Sequence, residues 1–353
     1  MNEKTRMQLT AETGSDFWND SCSVGHLTEA VQQGAVGATS NPVIVHTVIA
    51  QEEQRWLPEL QRLIAGNPRD TEEDIAAKLV ACIGAAAARV LEPVYRREKG
   101  RKGRLSVQVN PRLYRDPERM FAYARGLAAI APNIAVKAPC TEAGLEVVEE
   151  MTANGICPNV TVSFSVAQAL TAAETIERGL DRAARSGIDI SQYTPYVTIM
   201  VGRLDDHLKR VMAAQRLSID PGYLEWAGVA VFKRAYELFR TRGYRSQLLS
   251  AAYRNHMHWS EFLGGKVVLS MPYEWWTRFN ASDIEVVPRI DRPVDPRIVR
   301  ELSAKFPDFV RAYEAEGMKP EEFVRFGPSI HTLNQFLGGY DSLLGLIRQR
   351  MLI

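Results

Sequence analysis

Asn133-Ile-Ala-Val-Lys137-Ala-Pro139 carries a lysine inside a run that otherwise reads as a buried β-strand. Ile, Ala and Val, closed by proline, expect apolar neighbours, and an ammonium is costly to bury among them. Burial lowers a lysine's pKa, and a neutral amine is a nucleophile toward carbonyls. The competing reading is a lysine at a strand end whose head reaches solvent or a carboxylate.

Working outward from Ile134–Ala138, seven further short apolar runs have strand character: Asp16–Asp20, Ala35–Ser40, Leu105–Val109, Ile156–Val162, Val197–Val201, Gln247–Ala252 and Lys266–Met271. Several are solidly apolar, as strands covered on both faces should be. Between them lie amphipathic patterns at His26–Gln33, Pro117–Ala131, Gly144–Asn154, Ser165–Ser186 and Gly222–Gly243. Asp116-Pro117 is a helix start signal, and Gly155, Gly187 and Gly243 are stop signals. The long gap Pro42–Gly103 holds helical stretches over Ile44–Ala65 and Thr71–Tyr95. Strand-helix repetition predicts parallel strands joined by crossovers, and eight such units predict a closed (β/α)8 TIM barrel. The expected barrel core covers about residues 14–290 of a single domain. A helical C-terminal extension over about 291–353 reads as helix at Asp295–Gly317 and Ile330–Leu352. A doubly wound open sheet is the alternative, but no Gly-x-Gly-x-x-Gly follows the first strand.

The composition excludes several partners. The 43 basic and 42 acidic residues leave a net charge of +1, so no single-sign field invites nucleic acid or an anionic membrane. The one basic run, Arg96 to Arg104, contains glycines and reads as a solvated loop. The 4 cysteines form no Cys-x-x-Cys pair. The N-terminal residues lack an apolar signal core and no run is long enough to span a membrane, so a cytoplasmic location is expected.

Barrel enzymes place their chemistry at the C-terminal ends of the strands. Those ends supply Asp20, then Thr39-Ser40-Asn41-Pro42, Gln108, Lys137, Asn159 with Thr161, Gly202-Arg203 and Tyr253-Arg254-Asn255. Phe17-Trp18-Asn-Asp20-Ser, Gly37-Ala-Thr-Ser-Asn41-Pro42, Ile134-Ala-Val-Lys137-Ala-Pro139 followed by Gly144, Gly155-Ile-Cys-Pro-Asn159-Val-Thr161 running on to Gln168, and Val201-Gly-Arg203-Leu-Asp205-Asp206 together resemble the signatures of transaldolases, in family order. The lysine motif and the strand-five motif are the specific ones.

The resemblance implies a barrel, an imine-forming class I mechanism, no metal and no organic cofactor. It implies Lys137 as the Schiff-base lysine and Asp20 as the proton-transferring acid. Thr161 and Gln108 would position a water. Asn41 would hold donor hydroxyls, with Ser40 and Asn159 beside it. Arg203 and Arg254 would grip the phosphate of a sugar phosphate, a role suited to the planar guanidinium fork. Thr198 aligns with a phosphate-contacting serine of the family in one register; another register uses Thr194-Pro195-Tyr196. Gln108 stands where transaldolases usually carry Glu and resembles the fructose-6-phosphate aldolase branch, whose members release a free three-carbon ketone. That branch has a tyrosine where this chain has Met200. Ala252 replaces a serine near the phosphate.

Transfer of a three-carbon dihydroxyacetone unit between sugar phosphates is therefore the leading expectation. Aldol release by the same fold and a non-catalytic barrel scaffold are the rivals. Other residues read as structural: Asp16 at a strand start, His256 and His258 as loop histidines, Trp275 and Trp276 as packing, Cys140 as a small core residue, and Asp205 and Asp206 at a helix start. The insertion between strands two and three and the helical tail are expected to cover the rim or to form a homodimer contact.

Overall fold

The computed structural model describes residues 4–352. Eight strands, β1 (Asp16–Asn19), β2 (Gly37–Thr39), β3 (Arg104–Gln108), β4 (Ile134–Pro139), β5 (Pro158–Thr161), β6 (Tyr196–Ile199), β7 (Gln247–Ser250) and β8 (Val268–Met271), close in chain order into one barrel. Every neighbouring pair is parallel, including β8 against β1. The expected (β/α)8 architecture is the observed one. Most strands end before their apolar runs do, and the residues just past β1, β2, β6 and β7 form the upper rim, whereas β4 runs one residue further, to Pro139.

Strand pleating sorts side chains alternately inward and outward. Trp18, Ala135, Tyr196, Leu249 and Val268 pack together as a lower apolar cluster. Above them the side chains become polar: Thr39 bonds Ser270 (2.6 Å), and Asn159 joins Ser106 (2.8 Å) to Thr198 (2.7 Å). Asp20 and Lys137 lie higher still. Gly37 has to be glycine, since a Cβ there would sit 2.2 Å from Cε2 of the Trp18 indole.

Helix starts are fixed by side-chain caps that satisfy orphan N–H groups. Asn41 caps Pro42–Gln51, Asp116 caps Pro117–Ala128, Thr141 caps Glu142–Ala153 and Ser165 caps Val166–Arg185. Several expected helices are broken. The stretch expected over Ile44–Ala65 divides into Pro42–Gln51 and Glu53–Gly66, because Glu52 turns aside to accept from Ser23 Oγ and Trp56 Nε1. Gly222–Gly243 becomes Pro221–Leu224 and Ala227–Arg242. Pro307 divides the first tail helix into Pro296–Lys305 and Pro307–Tyr313, with Phe306 extended as a residue before proline must be.

Two expectations need correction. Arg104 is not part of a solvated loop; it is the first residue of β3 and 5% exposed. Its guanidinium lies over the Tyr95 ring at 5.2 Å and reaches the Gln192 carbonyl at 3.3 Å, because the strand register carries it beneath the barrel. His258 is not a loop histidine either. It is fully buried in the short helix Met257–Ser260 and bonded to Asp205.

The last helix, Gly327–Met351, packs on Pro42–Gln51 and Glu72–Arg97 and so lies across the upper rim. Tyr340 Oη accepts from Asn110 Nδ2 and Ser329 Oγ accepts from Gln168 Nε2, which ties the helix to the loop after β3 and to the start of the helix after β5. Among the described residues no helix is long and apolar enough to cross a membrane.

Candidate active site

At the C-terminal end of the barrel a cleft of about 580 Å³ opens onto Asp20, Lys137, Thr161, Thr198 and Arg203. Lys137 stands in the middle of β4, paired in register with Gln108 of β3 and Asn159 of β5. It is 5% exposed, and its Nζ donates to the carbonyl of Ser40 at 3.2 Å. That is one neutral acceptor for a group with three donors. Burial holds the amine below the ordinary lysine value, and the charge of Asp20 only partly offsets this.

Asp20 leaves the end of β1. Thr39 donates to its Oδ1, and Thr39 in turn shares a hydrogen bond with Ser270. Burial raises the Asp20 carboxyl; Lys137, the Thr39 hydrogen bond and Arg203 pull the other way. Both displacements favour the neutral forms of the pair, the state a dry cavity stabilises. The amine itself faces the cleft.

Thr161 ends β5 and is fully buried, with its hydroxyl 3.9 Å from the Met200 sulfur. Val162, directly after it, has a φ of 55°, a left-handed conformation that a β-branched residue adopts only under restraint. Gln168 supplies that restraint: its amide donates to the Val162 carbonyl (3.2 Å), and its carbonyl accepts from Phe164 N–H (2.9 Å). The strain is spent on aiming the end of β5.

Arg203 sits in the first turn of Val201–Gln215 and lines the cleft. Its Nε is buried with no hydrogen-bond partner. Burial lowers its pKa, and repulsion from Arg254 adds to this. Arg254 faces the same cleft but is occupied: its guanidinium pairs with Asp206 (2.8 Å) and donates to the Tyr253 carbonyl (2.8 Å). An unpartnered guanidinium beside a partnered one leaves N–H donors able to bond an anion.

Not every expected residue has its side chain in the cleft. The Ser40 hydroxyl turns to the Ser106 carbonyl (3.1 Å), leaving only its backbone oxygen for Lys137. Asn159 lies under the lysine, committed to Ser106 and Thr198. Asn41 lines the cleft, but its Oδ1 caps the following helix (3.0 Å), which leaves its amide NH2 as the uncommitted donor. Gln108 lines a neighbouring cavity with room for about 20 Å³, enough for one water, and its Oε1 is buried without a partner. The two registers for β6 separate cleanly: Thr198 opens on the cleft, whereas Thr194 lines a groove at the opposite end of the barrel. Asp16 is at that opposite end, paired with Lys102. Met200 and Ala252 both line the cleft, and Ala252 has a positive φ of 64°. Trp276 packs, bonded to Asn19, while Trp275 lines the cleft.

Sequence reasoning missed His26, Tyr273, Gln335 and Phe336, which form the outer wall. His26 stacks on Tyr273 at 3.9 Å. The last two come from the C-terminal helix and carry no local signal of their role. Among the described residues no cluster of three or more His, Cys, Asp or Glu side chains is arranged to hold a metal.

The chain resembles known proteins over most of its length. The profile of the family described as Transaldolase/Fructose-6-phosphate aldolase matches residues 17–321. A Transaldolase 1 from Streptomyces avermitilis is 30% identical over 247 residues, 67% of this chain and 64% of the relative. A transaldolase from Thermobifida fusca is 33% identical over 213 residues, 58% of this chain and 57% of the relative. The match thus spans under two thirds of the length of these relatives. A transaldolase from Thiobacillus denitrificans is 28% identical over 326 residues, 84% of this chain and 88% of the relative.

Proposed function

Because the chain belongs to the transaldolase/fructose-6-phosphate aldolase family, we propose that it moves a three-carbon dihydroxyacetone unit from a ketose phosphate to an aldose acceptor through an imine on Lys137. The observation that carries this reading is a buried amine with no carboxylate bonded to it, facing a cleft that Asp20 shares.

Neutral Lys137 attacks the ketose carbonyl, and the carbinolamine loses water to give an iminium. Gln108, whose Oε1 borders a cavity large enough for a water, and Thr161 position the water that relays protons in this step. The iminium's positive charge replaces a neutral amine beside Asp20 and lowers the carboxyl, so Asp20 is a carboxylate when the base is needed. It takes the proton from the hydroxyl next to the scissile carbon–carbon bond. The bond's electron pair flows into the iminium, an aldehyde departs, and an enamine remains on Lys137. The enamine adds to an acceptor aldehyde, Asp20 returns the proton, and water releases the new ketose. Asn41 NH2 and Thr198 hold hydroxyls, and Arg203 with Arg254 takes the phosphate.

A second reading, release of the free three-carbon ketone, rests on Gln108. A neutral amide orients a water but cannot accept its proton as a carboxylate does. Protein incubated with fructose 6-phosphate and borohydride should gain a mass adduct at Lys137, and Lys137→Ala should lose both adduct and turnover while remaining folded. Turnover persisting in that variant would exclude the imine route. Product analysis with and without erythrose 4-phosphate separates transfer from release.

A further inference from the structure

Asp205 and His258 are both fully buried, and neither lines the cleft. His258 Nε2 lies 2.9 Å from Asp205 Oδ2. The backbone N–H of Arg254 donates to His258 Nδ1 at 3.0 Å. A ring nitrogen that accepts carries no hydrogen, so Nε2 bears it and donates to Asp205. The other Asp205 oxygen accepts from Gly228 N–H at 2.8 Å, which anchors the carboxylate to the helix Ala227–Arg242. The chain of contacts therefore runs from a helix backbone, through a carboxylate and an imidazole, to the backbone of Arg254.

Asp206 and the Tyr253 carbonyl hold the Arg254 guanidinium, and the His258 contact holds its backbone. Its guanidinium stands in the field of Arg203, and two like charges drift apart unless the scaffold holds them. The loop that carries it contains Ala252 in the left-handed region, which an alanine does not prefer. The loop is also pressed onto the start of the Arg203 helix: a Cβ on Gly202 would lie 2.2 Å from the Ala252 carbonyl oxygen and 2.6 Å from Arg254 Cγ.

We propose that the Asp205–His258 couple is a positioning device for Arg254. The carboxylate selects the imidazole tautomer, the imidazole fixes the loop, and the loop holds the second guanidinium beside Arg203, where it raises affinity for a substrate's phosphate. The proposal rests on the functional reading only in taking phosphate as the ligand of Arg203 and Arg254. It assigns the couple to binding and gives it no part in breaking the carbon–carbon bond.

Asp205→Asn is nearly isosteric and keeps an oxygen for Gly228. Its NH2 faces Nε2, which must then accept; the ring hydrogen moves to Nδ1 and opposes the Arg254 N–H. The dissociation constant of inorganic phosphate, measured by calorimetry, should rise about tenfold, as expected for weakening one charge-assisted contact. The KM for a phosphorylated ketose should rise with it, while kcat and the borohydride trapping of unphosphorylated dihydroxyacetone at Lys137 stay unchanged. His258→Asn places an acceptor where Nδ1 was and should keep phosphate affinity within about twofold; His258→Gln keeps the Asp205 bond but loses that acceptor and should weaken it about tenfold. If Asp205→Asn does not fold, this pair decides the matter. Equal phosphate affinities in the two His258 variants, an Asp205→Asn variant that falls in kcat with KM unaltered, or a wild-type protein that does not bind phosphate would each overturn the proposal. Absence of any Lys137 adduct in the wild-type protein sinks the functional reading instead, and leaves the phosphate constants to judge the couple.

Discussion

Lys137 and Asp20 define each other's chemistry. Burial pushes the amine down and the carboxyl up, and each charge opposes the displacement of the other. Replacing Asp20 by Asn removes the negative charge that supports the ammonium, so the amine becomes less basic still. The acid limb of the pH profile for borohydride trapping at Lys137 should then move to lower pH, even though turnover is lost with the base. A limb that stays where it was would show that Asp20 does not face the amine. Lys137 stands out in the chain because a cation interrupts an Ile/Ala/Val strand. Thr39, which holds the Asp20 carboxyl, does not stand out, because its contact lies across two neighbouring strands and no local spacing encodes it. Asp205 and His258 share that fate, being 53 positions apart.

The C-terminal helix Gly327–Met351 is part of the cleft wall, contributing Gln335 and Phe336. Phe336 is 2% exposed and packs against the core while facing the site. Phe336→Ala should lower stability by about 3 kcal/mol through lost burial and the cavity left behind. The measurement is the fall in Tm by circular dichroism; an unchanged Tm would mean the helix is a detachable appendage. The helix itself was legible, since the tail reads as helix over Ile330–Leu352. Its destination was not, because docking is decided by the shape of the rim and by single bonds such as Asn110 to Tyr340. The breaks at Glu52 and Pro307 differ in the same way. Pro307 carries a local signal that the expected helix over Asp295–Gly317 ran through, whereas Glu52 leaves the helix where Ser23 and Trp56 receive it.

Polarity rises along the barrel, from aromatic and aliphatic residues below, through hydroxyls and amides, to Asp20 and Lys137 at the top. Arg104 breaks that order from beneath. It is buried with no carboxylate partner, its Nε is unbonded, and its stem and Tyr95 do the packing. Arg104→Met should leave stability unchanged or raise it by about 1 kcal/mol, since a buried charge with imperfect partners is often better replaced by an apolar chain of similar volume. Activity should not change, as the residue is at the far end from Lys137. A drop in Tm of many degrees would show instead that the carbonyl contacts at Gln192 and Ile134 hold the base of the barrel closed. The number of strands, their parallel order, the lysine and the rim motifs were set by the linear pattern of residues, because strand periodicity and helix signals are local properties of a chain. Which rim side chains meet in the cleft, that Ser40 and Asn159 are turned to other duties, that Arg203 is free while Arg254 is paired, and that a distant helix forms the outer wall were decided only on folding. Those outcomes depend on register and on contacts between residues far apart in the chain, where one ångström separates a ligand-facing group from a buried one.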